Sequence, residues 1–394
     1  MAPRFWLFHR RTEKLGAKAP PTGRAVYFRL KDYSGMKKIR VIVADDSSLA
    51  RDLLRTFLES DEEIEIVGEA RNGHEAVELA RALKPDVITM DLEMPVMNGM
   101  QAIEEIMSSK AAPILVVSSV ADARNAYEAV ARGALEVIGK PEYDARAAAE
   151  FVARVKMLAK VPVITHLRTR SAGGKPAAAA PAPEATGAAP SAPDAGGGYA
   201  RVFAIASSTG GPQALALILA QLPAGFPCPV LISQHISDGF AAGMAAWLGG
   251  LCKLPVRLGS AGELIAPGVV YLSPSETHLT VTPSRRLALR ERQPGEVYRP
   301  SCNALLESVA EVFGRQAAGI ILTGMGSDGA RGIEAIRRAG GATLAQDEAS
   351  SVIFGMNKVA IDGGHVQQVL PASGMAGAMC RIAGLAAPAQ GAVS

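Results

Sequence analysis

The 394-residue chain is long enough for two domains of ordinary size, and at 48% its apolar content supports a core in each. Its formal net charge of +3 does not signal a basic surface: residues 1–35 hold eight Lys/Arg against two Asp/Glu, so the remainder is net acidic, which argues against nucleic acid as the main partner. No apolar run reaches the ~18 residues that span a bilayer, and Cys228, Cys252, Cys302 and Cys380 lack a CxxC pair, fit neither a zinc site nor a disulfide framework, and read as reduced, mostly buried thiols.

Residues 1–35 differ in character from the rest of the chain. Arg4-Phe5-Trp6-Leu7-Phe8-His9-Arg10-Arg11 is basic and aromatic, with no signal-peptide core or cleavage site after it. Met36 then opens an ordinary first strand. The expectation is that Met36 is the true start or that the extension is disordered; a membrane-surface anchor is the alternative.

Strands are expected at Ile39–Ala44, Ile64–Ala70, Val87–Met90, Ile114–Val117 and Leu135–Ile138. Helices are expected near Ser48–Glu59, Gly73–Leu83, Gly99–Met107, Arg124–Ala131 and Ala145–Leu158. Continuous apolar strands such as Ile114-Leu115-Val116-Val117 suit a parallel sheet covered on both faces. Five βα units over residues 36–160 predict a doubly wound α/β domain with its ligands at the carboxyl ends of the strands.

Residues 161–198 read as a linker. From Ser171 to Gly198 the chain is Ala, Pro and Gly with almost no large apolar side chain, and it cannot offset its ordering entropy. Residues 199–388 resume the alternation, with strands at Val202–Ala206, Val230–Ser233, Val256–Leu258, Val269–Leu272, Gly319–Leu322 and Ala342–Ala345. Leu279–Val281 and Leu287–Arg290 read as a small antiparallel hairpin. The second half is a doubly wound, mostly parallel α/β domain.

Asp45 and Asp46 follow the first strand, Asp91 ends the third, Ser118 the fourth, and Lys140 follows the fifth. Clustered carboxylates repel one another, and a hard divalent cation such as Mg²⁺ offsets that repulsion while keeping coordination sites for a phosphoryl group. Asp91 can then attack phosphorus in line, with the metal and Lys140 neutralising the equatorial oxygens and Ser118 hydrogen-bonding one of them. Isolated surface charges or helix caps would not place five such residues at the ends of four of the five strands.

Residues 37–160 resemble a two-component receiver domain. The likeness is carried by Val43-Ala44-Asp45-Asp46-Ser47, Asp91-Leu92-Glu93-Met94-Pro95-Val96-Met97-Asn98-Gly99, Val117-Ser118-Ser119 and Gly139-Lys140-Pro141. It implies that Asp91 is the phosphoacceptor, and that Asp46, Asp91 and the Glu93 carbonyl ligate Mg²⁺ with Asp45 acting through water. Receivers usually carry an aromatic reporter three residues before the lysine; here that position is Val137.

Ser207-Ser208-Thr209-Gly210-Gly211-Pro212 leads from a strand into a helix. Pro212 suits a first helical turn, and N–H groups at a helix start can stabilise an oxyanion. Ser208 is placed as a nucleophile, His235 after the next strand as its base, and Asp328 as the carboxylate that fixes the imidazole. The order Ser–His–Asp and the absence of GxSxG separate this from α/β-hydrolases. A phosphate-cradling loop is the rival reading of the glycines, but neither a Walker lysine nor GxGxxG is present. From spacing alone Ser207 remains a rival nucleophile, His278 a rival base, and His235 a plausible structural histidine.

Residues 201–370 resemble the catalytic domain of the chemotaxis protein-glutamate methylesterases, the CheB family. The likeness rests on Ser208-Thr209-Gly210-Gly211, Ser233-Gln234-His235, Tyr298-Arg299-Pro300-Ser301, Ile321-Leu322-Thr323-Gly324-Met325-Gly326-Ser327-Asp328-Gly329-Ala330 and Gln346–Met356. It implies Ser208, His235 and Asp328 as the triad, with Thr209, Arg299 and Met325 lining the pocket. Ser207 stands where the family usually has alanine, and Asn357 where it has proline.

Together the resemblances imply a phosphorylation-activated hydrolase acting on glutamate γ-methyl esters, and on glutamines, of methyl-accepting chemotaxis receptors. A histidine kinase is the expected phosphodonor, Mg²⁺ the receiver's cofactor, and no cofactor is expected in the esterase site. The expected protein is cytoplasmic and monomeric, with no stable membrane insertion. A non-catalytic receptor-binding adaptor is the alternative; a DNA-binding output is disfavoured because the second half is strand-rich and lacks a basic helix pair.

Overall fold

The computed structural model describes residues 37–109, 112–162 and 198–386; the expectations for the basic extension and most of the linker lie outside them. The first half contains β1 (Ile39–Ala44), α1 (Ser48–Glu59), β2 (Ile64–Ala70), α2 (Gly73–Leu83), β3 (Val87–Met90), α3 (Gly99–Ser109), β4 (Ile114–Ser118), α4 (Ala123–Ala131), β5 (Glu136–Gly139) and α5 (Ala145–Leu158). The strands form one parallel sheet in the order β2-β1-β3-β4-β5. Val41 to Val43, Ile88 and Ile114 to Val116 are fully buried, as strands covered on both faces must be. Ser47, Asn72 and Asp144 start α1, α2 and α5 by accepting backbone N–H groups on their side-chain oxygens.

The second half contains β6 (Val202–Ser207), α6 (Gly211–Ala220), β7 (Val230–Gln234), α7 (Ala241–Leu251), β8 (Val256–Leu258), β9 (Val270–Leu272), β10 (Thr277–Val281), β11 (Leu287–Glu291), α8 (Cys302–Phe313), β12 (Ala317–Ile321), α9 (Ala330–Arg338), β13 (Ala342–Gln346), α10 (Met356–Asp362), β14 (Gln368–Leu370) and α11 (Ala372–Ile382). Seven strands form a parallel sheet in the order β14-β13-β12-β6-β7-β9-β8, and β10 pairs antiparallel with β11 as the separate hairpin. The edge strand β14 was not expected. It is short and largely exposed, so no apolar pattern marks it.

The described residues from Lys38 onward form one compact unit. Helix α4 of the first half packs on α7 of the second, with Tyr127 stacked on Trp247 at a centroid separation of 5.9 Å. Edge strand β5 meets the second half directly. Gln213 Nε2 donates to the carbonyls of Ala134 (2.9 Å) and Leu135 (3.2 Å), and Gly139 N–H donates to Ser237 Oγ (3.2 Å). No helix among the described residues is long and apolar enough to cross a membrane.

Candidate functional sites

In the first sheet the strand order reverses between β1 and β3, which opens a crevice at their carboxyl ends. Asp45 and Asp91 are buried in it, Asp46 is exposed at its rim, and the three offer carboxylate oxygens all within 4.8 Å of one another. Lys140 Nζ lies 2.8 Å from Asp45 Oδ2 and 2.9 Å from Asp91 Oδ2. Burial opposes the Lys140 charge, but its bonds to Asp45 and Asp91 outweigh that and raise its pKa. Burial, opposed by the Lys140 hydrogen bond and assisted by the Asp45 charge, raises the Asp91 carboxyl above the usual range. Ser118 Oγ is buried without a hydrogen-bond partner, as a group kept for an incoming oxygen would be. A convergent all-oxygen donor set of excess negative charge fits a hard divalent cation. The side chain of Glu93 is exposed, so only its carbonyl suits a role there.

In the second sheet the order reverses between β6 and β12, and the loops after β6, β7 and β12 supply Ser208, His235 and Asp328. His235 Nδ1 stands 3.2 Å from Ser208 Oγ, and His235 Nε2 stands 2.8 Å from Asp328 Oδ2. Nδ1 is thus the atom available to take the serine proton, and the carboxylate holds the other nitrogen protonated. Asp328 also accepts the N–H groups of Cys302 (2.6 Å) and Asn303 (2.9 Å) at the start of α8. Burial works against its charge, but the His235 hydrogen bond and charge and those two N–H groups together hold its pKa below the ordinary value. Cys302 lies in the same cluster, but burial and the Asp328 charge push its thiol well up, and its Sγ donates to the Ser233 carbonyl at 3.2 Å.

The loop around Ser208 is set by close approaches. Gly210 has φ of 77°, and a Cβ there would meet Val352 at 2.5 Å; a Cβ on Gly324 would meet Ser208 Cβ at 2.6 Å. The N–H of Ser208 donates to the Thr323 carbonyl at 3.0 Å, and that of Gly211 to the Ser208 carbonyl at 2.7 Å. These two N–H groups are therefore already engaged and are not the ones free to meet an oxyanion.

Both rivals have other partners. Ser207 Oγ is fully buried and donates to Gln234 Oε1 at 2.6 Å. His278 is fully buried, with its ring nitrogens bonded to Glu296 and to the Ser301 N–H rather than to a serine hydroxyl. Thr209, Arg299 and Met325 line a cleft of ≈ 680 Å³ with Ser208 and His235, as does Lys140 from the first half. Thr209 Oγ1 also donates to Glu136 Oε2 on β5 at 3.1 Å. Sequence reasoning gave no role to Tyr298, whose ring stacks on His235 at 5.1 Å and 14°; the only signal was its place beside Arg299 in a matching segment.

The fold and these two crevices define a hydrolase joined to a receiver. The CheB methylesterase family model matches residues 203–379, and the response regulator receiver domain model matches residues 41–151. The chain is 54% identical to protein-glutamate methylesterase/protein-glutamine glutaminase 3 of Paramagnetospirillum magneticum, with 88% of this chain and 97% of that protein covered. It is 43% identical to the protein of the same description from Myxococcus xanthus, with 87% and 93% covered. It is also similar to the Thermotoga maritima CheB methylesterase catalytic domain, at 34% identity and a TM-score of 0.44, over 45% of this chain and 96% of that one. This chain belongs to the family of protein-glutamate methylesterases/protein-glutamine glutaminases that carry a receiver domain.

Proposed function

We propose that Ser208, His235 and Asp328 catalyse hydrolysis of glutamate γ-methyl esters on methyl-accepting chemotaxis receptors, and of receptor glutamine amides, under control of phosphorylation at Asp91. The observation that carries the reading is the continuous Ser208–His235–Asp328 hydrogen-bond chain opening into the cleft. Ser208 Oγ attacks the ester carbonyl carbon while His235 Nδ1 takes its proton. Nδ1 returns that proton to the departing methoxide, which leaves as methanol. Water then attacks the acyl-serine, its proton passing to Nδ1 and on to Ser208 as glutamate is released. With an amide the first leaving group is ammonia. Asp328 stays ionised and keeps Nε2 protonated throughout.

In the receiver, Asp46, Asp91 and the Glu93 carbonyl would hold Mg²⁺, with Asp45 through water, and the chemistry supplied there would be neutralisation of charge on phosphoryl oxygens. Asp91 accepts the phosphoryl group from a histidine kinase, Lys140 pairs with one oxygen and Ser118 with another. The bond from Thr209 to Glu136 and the presence of Lys140 in the cleft support a docked receiver that narrows access to Ser208. Phosphorylation then shifts the balance toward undocked domains. We further propose a cytoplasmic monomer, with residues 36–160 as receiver, 161–198 as tether and 199–388 as catalytic domain.

The test is methanol release from methyl-labelled receptor membranes, with and without a small-molecule phosphodonor. Release that rises with phosphodonor and is lost in Ser208→Ala is expected. Release that survives in Ser208→Ala sinks the triad reading.

A further inference from the structure

His278 lies on β10, outside the cleft, yet both its ring nitrogens are committed. Nδ1 accepts the Ser301 N–H at 2.8 Å, and Nε2 stands 2.9 Å from Glu296 Oε2. A backbone N–H can only donate, so Nδ1 carries no proton and Nε2–H donates to the carboxylate. Glu296 is itself fixed by Arg290 Nη2 at 2.8 Å and by the Gln293 N–H at 2.7 Å. One fully buried imidazole therefore grips both ends of the segment 296–301.

That segment carries two parts of the cleft. Tyr298 covers the His235 ring, and the Arg299 carbonyl accepts the N–H of Ile236 at 2.9 Å. Its last residue, Ser301, caps α8 through Ala304 N–H and sends its hydroxyl to Asp328 Oδ1 at 3.3 Å. The next two N–H groups, of Cys302 and Asn303, hold the Asp328 carboxylate. An unbroken line of contacts thus runs from Glu296 through His278, Ser301, Asp328 and His235 to Ser208.

We propose that His278 is a positioning residue for the hydrolysis: it sets the N-terminus of α8, and through it the Asp328 carboxylate and the His235 ring. The inference rests on the reading of Ser208, His235 and Asp328 as the catalytic triad. A buried donor–acceptor with two directional partners fixes its neighbours more narrowly than an apolar side chain of similar size. A displacement of about 1 Å at a reacting centre costs on the order of 10²-fold in rate.

The experiment uses the full chain with phosphodonor and methyl-labelled receptor membranes, comparing His278→Leu, His278→Asn and His278→Gln. Asparagine keeps an acceptor near the Nδ1 position for the Ser301 N–H; glutamine keeps a donor near the Nε2 position for Glu296. His278→Leu is expected to lose kcat on the order of 10²-fold with a smaller rise in KM, because segment 296–301 also carries Tyr298 and Arg299 of the cleft lining. His278→Asn is expected to recover kcat at least about tenfold over leucine, and His278→Gln less, because only the Ser301 end leads to Asp328. Thermal melting of each variant gives the folded fraction, by which kcat is normalised. Unchanged normalised kcat in the leucine variant overturns the proposal, and so does an asparagine variant no better than leucine. Ser208→Ala run beside them separates the two readings: its activity, if retained, removes the triad and not merely the role of His278.

Discussion

Ser207 and Ser208 are adjacent in sequence but turn their hydroxyls in different directions, the first to Gln234 Oε1 at 2.6 Å and the second to His235 Nδ1 at 3.2 Å. Only the second has a base. Ser208→Ala should reduce methanol release by about 10³-fold or more, to the residue that binding alone provides. Ser207→Ala should cost about 1–2 kcal/mol of stability through the lost buried hydrogen bond and leave release in the wild-type range. The reverse pattern of activities would exchange their roles.

Asp328 fixes which imidazole nitrogen carries the proton. Asp328→Asn preserves the shape but offers His235 Nε2 a group able to donate, which favours the wrong tautomer. A fall in kcat of about 10⁴-fold is expected. The folded-state pKa of Asp328 is depressed, so its carboxylate contributes stability above the unfolded pKa, and that contribution is lost as pH falls through the folded value. Denaturant melts should therefore show the wild-type advantage over Asp328→Asn at neutral pH shrinking in acid. A kcat within tenfold of wild type would remove Asp328 from the triad.

Much of this was legible in the chain. Continuous apolar strands such as Ile114–Val117 identified the parallel sheets, and each reactive residue sat beside a strand end, where a doubly wound fold gathers its ligands. Ser207 and Ser208 could not be separated, because that depends on which hydroxyl Gln234 takes, a contact between strands. The same holds for His278: a histidine beside a strand looks alike whether it faces a serine or is locked by Glu296 and Ser301. Tyr298 entered only as a neighbour of Arg299, since its stacking on His235 arises from a loop crossing after β11. β14 escaped notice because an exposed three-residue edge has no periodicity.

Asp91 and Lys140 stand 2.9 Å apart in the proposed phosphoryl-accepting site. Asp91→Asn should abolish incorporation of labelled phosphate from a phosphodonor and with it the stimulation of methanol release. Stripping divalent cations with a chelator should do the same to wild type, because the carboxylates at Asp45, Asp46 and Asp91 then repel the incoming phosphate. Full stimulation in Asp91→Asn would overturn the switch.

Tyr127 on α4 and Trp247 on α7 stack across the two halves. Such a pair contributes about 0.5–1.5 kcal/mol beyond its buried area. Trp247→Ala or Tyr127→Ala should therefore shift the docking equilibrium by about tenfold, raising basal methanol release and lowering the further gain from phosphodonor. If both variants fold normally and basal release does not move, the docked receiver is not inhibitory.

Glu296 accepts from Arg290, Gln293 and His278, and these contacts, the Arg290 hydrogen bond foremost, hold its carboxyl at about 2 rather than the ordinary 4.5. A depressed folded-state pKa gives stability that is fully present above about pH 4.5 and is lost as pH falls toward about 2. The side chain is 30% exposed, so solvent screening reduces the effect to about 1–2 kcal/mol at neutral pH. Glu296→Gln should lower denaturant stability by that amount at pH 7, and the gap from wild type should narrow steadily below pH 4.5. Added salt should narrow it at pH 7 as well, because part of the effect is the ion pair with Arg290. A gap that is the same at pH 7 and pH 3.5 would mean that the carboxylate charge is not what holds segment 296–301, and that the contact to His278 acts through shape alone.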